Sequence, residues 1–64
     1  MNLGEKIRQL RVERRLTQEQ LAEKLYVSFQ TVSKWETGTT SPDLSQIVPL
    51  ARLFGITTDE LFDF

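Results

Sequence analysis

Neither cysteine nor histidine occurs in these 64 residues. Without cysteine there is no disulfide and no thiolate metal site to staple a small chain. With both residue types missing, carboxylates scattered over exposed helix turns and no glycine-rich loop to cradle a phosphate, no constellation for catalysis is present, and neither an enzyme nor a cofactor is expected. No apolar run approaches the ~20 residues of a membrane span, and the first residues lack a signal peptide's apolar core. A soluble, cytoplasmic chain with no membrane partner is predicted.

What is present is a helical pattern. Leu3, Ile7 and Leu10 recur at helical spacing, as do Leu21, Ala22 and Leu25, Val32 and Trp35, then Leu44, Ile47, Leu50, Ala51 and Phe54, and finally Ile56 and Leu61, with Leu16 and Val27 between stripes. No alternating strand pattern appears, so the fold class is all-α. The length suits one domain, residues 1–64, near the lower size at which a core holds without staples.

Local signals delimit the helices. Asn2 with Glu5 forms a capping box for a first helix ending near Arg15, and Thr17 with Gln20 forms another that starts a second helix near Gln18. Ser28 is the next N-cap candidate, which compresses the intervening turn to Tyr26–Ser28. So short a turn crosses two helices steeply, and Ala22 is small where their backbones meet. Gly38 closes the third helix at a position where a residue without Cβ turns left-handed freely. Ser41-Pro42-Asp43 resembles a helix start with proline at the first position, but Pro49 lacks the amide that bonds back to Ser45. The fourth helix is therefore either kinked or begins near Ser45; in both cases it stops at Gly55. Thr57 with Glu60, flanked by Ile56 and Leu61 at staple spacing, marks a short fifth helix.

Residues Thr17 to Gly38, TQEQLAEKLYVSFQTVSKWETG, thus read as helix, tight turn, helix. With Val32 and Trp35 turned inward, the second of these helices presents Ser28, Phe29, Gln30, Thr31, Ser33 and Lys34 outward. A duplex major groove admits one helix, and side chains that donate and accept together read its base edges best. Gln30 meets that requirement on the N6/N7 edge of adenine. Lys34 reaches guanine O6/N7 or a phosphate. Thr31 and Ser33 are small enough to approach base edges closely, while Phe29 packs either on thymine methyls or on the sugar backbone. Trp35 reads as core rather than a stacking platform, and Arg14 and Arg15 as a solvated helix end.

These residues resemble the lambda-repressor-like (Cro-type) helix-turn-helix domains of phage repressors and bacterial transcriptional regulators. The resemblance rests on LTQEQLAEKL, VSFQTVSKWETG and SPDLSQIVPLARLFGITTDELF, with Gln18, Ala22, Val27, Ser28, Trp35, Glu36, Gly38, Pro42, Leu50, Ala51 and Gly55 in order. It implies a five-helix domain and a double-stranded DNA operator as partner, probed by the helix near residues 28–36 of a transcription regulator, in particular a repressor. It further implies that Gln18 and Ser28, at helix N-termini, clamp phosphates, and that Thr37, Thr39 and Thr40 do the same from the loop. Arg11, a charge on the inward stripe, is matched by the same resemblance with Glu36; the alternative is a side chain that snorkels to water. One departure is Tyr26, where the family usually carries glycine. Either the turn is built differently here, or the ring recovers through packing the roughly 1–2 kcal/mol that a left-handed tyrosine costs.

Net charge is −1, which counts against a nucleic-acid partner until its distribution is considered. Residues 1–42 carry seven basic and five acidic groups, or +2, whereas residues 43–64 carry one and four, or −3. One mildly basic face predicts weak binding by a lone domain, and a dimer is the natural remedy. Phe62 and Phe64 either mediate a homodimer through the C-terminal region, contact a further domain or fray into solvent. The rival function is a protein-interaction module, such as an antitoxin gripping its toxin; the polar, cationic outer face disfavours it.

Overall fold

In the computed structural model, which describes every residue from Met1 to Phe64, the chain forms α1 (Leu3–Glu13), α2 (Gln18–Leu25), α3 (Phe29–Thr37), α4 (Leu44–Phe54) and α5 (Thr58–Leu61), with no strand. Three of these helices begin in reciprocal capping boxes. Asn2 Oδ1 accepts from the Glu5 amide at 2.9 Å while the Asn2 amide donates to Glu5 Oε1 at 3.1 Å. Thr17 with Gln20 and Thr57 with Glu60 repeat the arrangement at 2.8–3.0 Å. Each satisfies two amides that a helix start otherwise leaves without partners.

One helix boundary differs from the sequence reading. α1 ends at Glu13 rather than near Arg15, because Arg15 is left-handed (φ 57°) and the Leu16 amide turns back to the Arg11 carbonyl at 3.1 Å. Of the two starts left open for α4 the later one holds: it begins at Leu44, next to Ser45, with Asp43 as N-cap, and Pro42 precedes the cap. Asp43 makes no side-chain cap bond and instead accepts from Ser45 Oγ. The helix runs through Pro49, which is exposed, leaving the Ser45 carbonyl on a side that water reaches.

Ile7, Leu10, Leu21, Ala22, Leu25, Val32, Trp35, Ile47, Leu50, Phe54 and Leu61 form one buried cluster, with Leu3, Val27, Leu53 and Ile56 packed around it. Leu44 is not part of it: at 82% exposure it sits in the first turn of α4, at the edge of the helical stripe, where no other helix covers it. Arg14 is no solvated helix end either. Its Nε donates to the Phe54 carbonyl at 3.1 Å, Nη2 donates to the same oxygen, Nη1 reaches the Leu10 carbonyl at 3.1 Å, and the guanidinium lies 5.2 Å from the Phe54 ring centre. A cation thereby caps the negative end of α4 and ties it to α1. Arg15 remains exposed. No helix is long and apolar enough to cross a membrane.

Candidate nucleic-acid interface

The turn between α2 and α3 sets how α3 stands on the body. Tyr26 is left-handed (φ 59°, ψ 38°), and the Val27 amide then closes on the Ala22 carbonyl at 3.0 Å. Neither escape open to Tyr26 is taken: the turn keeps the geometry that suits glycine, and the ring is 96% exposed, so packing offsets nothing. Ala22 is buried at the crossing. Ser28 then caps α3, its Oγ accepting from the Thr31 amide at 3.2 Å and lying 3.0 Å from Thr31 Oγ1.

Val32 and Trp35 lock one face of α3 into the core. On the other face Phe29, Gln30 and Lys34 are exposed, and Thr31 and Ser33 are half-buried at its margins. Lys34 enters neither of the ion pairs in the molecule. At the far end Gly38 ends the helix in a left-handed conformation (φ 80°). There Thr37 Oγ1 donates to the Lys34 carbonyl at 3.2 Å and lies 2.9 Å from Thr39 Oγ1, while the Thr40 amide bonds to the Lys34 carbonyl at 3.3 Å. All three threonines are exposed. Thr37 lies nine positions beyond Ser28, about 13 Å along the helix axis.

A buried polar cluster holds the helix at its angle. Arg11 Nε meets Glu36 Oε2 at 2.7 Å and Nη2 meets Oε1 at 3.0 Å, with the two side chains only 12% and 4% exposed. Arg11 therefore pairs rather than snorkels, and its Nη1 also donates to the Leu16 carbonyl at 2.7 Å. Gln18 joins the same cluster, Nε2 donating to Glu36 Oε1 at 3.1 Å. Its side-chain donor is thus directed at α3, leaving the backbone amides of the α2 N-terminus as the groups that face outward at this point.

No cap, apolar stripe or motif in the sequence singles out Gly4. A β carbon there would lie 2.3 Å from the Trp35 carbonyl oxygen and 3.0 Å from that of Glu36, so α1 and the last turn of α3 touch backbone to backbone. The available signal was the position: Gly4, Ile7 and Arg11 share one helical face, where a glycine forgoes helix propensity and must be serving something else.

Known proteins share the sequence pattern and the fold. The helix-turn-helix family model matches residues 7–61. The HTH-type transcriptional activator BcrR of Enterococcus faecalis is 48% identical over 61 residues, 95% of this chain and 30% of the relative. The cryptic phage CTXphi transcriptional repressor RstR of Vibrio cholerae is 45% identical over 56 residues, 88% of this chain and 50% of the relative. The chain therefore spans at most half the length of these two relatives. Among solved structures, the P22 c2 repressor in complex with a synthetic operator superposes with a TM-score of 0.90 at 27% identity, covering 98% of this chain and 96% of the other.

Proposed function

The chain belongs to the helix-turn-helix family, in its lambda-repressor-like form, and on that premise we propose that it is the sequence-specific double-stranded DNA-binding unit of a transcription regulator. α3 lies in the major groove of an operator. The observation that carries this is the division of α3 into a face locked by Val32 and Trp35 and a face on which Gln30 and Lys34 stand exposed. Gln30 pairs with an adenine edge, and Lys34 with guanine or a phosphate; Thr31 and Ser33 flank them. The N-termini of α2 and α3, at Gln18 and Ser28, take strand phosphates, as do Thr37, Thr39 and Thr40. Occupancy of the operator represses by blocking access to it, a reading supported by the likeness to RstR and P22 c2, which are repressors, and the protein works in the cytoplasm.

The charge balance of +2 over residues 1–42 favours two copies per operator. Phe62 and Phe64, each 49% exposed, supply the homodimer contact, and the half-sites lie about one helical turn apart. The test is enrichment of bound duplexes from a random-sequence pool, followed by titration of the enriched duplex at rising salt. A near-palindromic consensus whose affinity falls steeply with salt is expected. No enrichment, or capture of a protein partner through this face with little response to salt, overturns the DNA reading.

A further inference from the structure

Phe29 sits at the first position of α3, 45% exposed, with no polar atom on its side chain. One surface hollow is bounded by Thr17, Gln18, Glu19 and Phe29, a second by Glu19, Ala22, Glu23, Val27 and Phe29, so the side chain stands between two open recesses beside α2 with much of its apolar surface turned to solvent. Lacking a donor and an acceptor, it cannot read a hydrogen-bonding edge. The one apolar group on the major-groove edges of the four base pairs is the C5-methyl of thymine.

Placement gives the same answer. C5 is on the side of a pyrimidine nearest its own sugar–phosphate strand, so its methyl lies beside that strand. The first hollow joins Phe29 to the N-terminus of α2, whose free amides and positive dipole end favour a phosphate. A strand gripped there carries its pyrimidine methyl onto the ring. We propose, resting on the DNA-binding reading above, that Phe29 is a specificity-determining residue that reads one thymine C5-methyl in each half-site. Gln30 beside it reads a neighbouring base by hydrogen bonds, so the two select different base pairs by different chemistry.

The probe is the duplex that this protein enriches from a random pool, with each thymine replaced in turn by deoxyuridine, which deletes the methyl and keeps every hydrogen bond. Binding of the intact chain and of Phe29→Ala is compared by fluorescence anisotropy. At one thymine per half-site the intact chain should lose about fourfold in affinity, the equivalent of one buried methyl group, and Phe29→Ala should lose nothing further. Replacing that base pair by C·G weakens binding, and 5-methylcytosine in its place recovers part of it. Uniform indifference to uracil, an enriched half-site without thymine, or equal sensitivity in Phe29→Ala overturns the assignment while leaving the regulator reading standing. Failure to enrich any duplex overturns both.

Discussion

Gly4 and Trp35 meet with no space for a side chain between them: a β carbon on Gly4 would stand 2.3 Å from the Trp35 carbonyl oxygen. That contact lets α1 lie directly under the C-terminal turn of the helix proposed to read DNA. Gly4→Ala gains helix propensity, up to about 1 kcal/mol, yet the obstructing atom is backbone and cannot swing aside. A net destabilisation of about 1–3 kcal/mol is expected, the range for overpacking a close contact. Urea unfolding checks it; a midpoint at or above that of the parent would show that α1 shifts freely.

Glu36→Ala leaves the Arg11 guanidinium facing a poorly hydrated site with its two strongest acceptors gone, and also removes the partner of Gln18. The expected loss is about 3–5 kcal/mol. Arg11→Met combined with Glu36→Leu should recover most of it, because the cost lies in the stranded charge rather than in the lost pair. The double variant separates these terms in one unfolding series, and a double as unstable as the single would contradict this account.

Tyr26→Gly should stabilise the domain. The left-handed backbone costs tyrosine roughly 1–2 kcal/mol, and the exposed ring returns nothing for it. Glycine's greater freedom in the unfolded chain cancels part of the gain, so about 0.5–1 kcal/mol remains. A lower thermal midpoint would mean that the ring has a packing role.

The Thr57 amide, and then the Thr57 side chain, hold the Glu60 carboxyl below the usual glutamate range, with Lys6 adding a smaller pull. Its folded value is depressed, so the stability it contributes is complete above the unfolded glutamate pKa and is lost as pH falls through the folded one. Glu60→Gln keeps an acceptor for the Thr57 amide but does not titrate. Stability measured across the acidic range should decline less in the variant, and identical profiles would remove Glu60 from the acid response.

Gln30→Ala is expected to cost about 1–3 kcal/mol at the enriched site and little on random duplex. Lys34→Ala should lower the salt slope by about one if the ammonium meets a phosphate, or relax one base position if it meets guanine. Equal losses by Gln30→Ala on every sequence, or an unchanged isotherm for Lys34→Ala, would remove the residue concerned from the interface.

The residues alone determined what depends on neighbours three or four positions apart. The boxes at Asn2, Thr17 and Thr57, the left-handed stop at Gly38, and the opposition of Val32 and Trp35 to Gln30 and Lys34 are all relations within one helix, which caps and periodicity express directly. The Arg11 and Glu36 pair was legible only through resemblance, since 25 positions separate them. Tertiary structure decided the rest. It brought Arg14 to a carbonyl 40 residues away, turned Gln18 toward Glu36, pressed Gly4 against Trp35, and left Leu44 and Tyr26 uncovered. Those outcomes depend on which helices meet and at what distance, and no spacing within a single helix encodes where its partner will end.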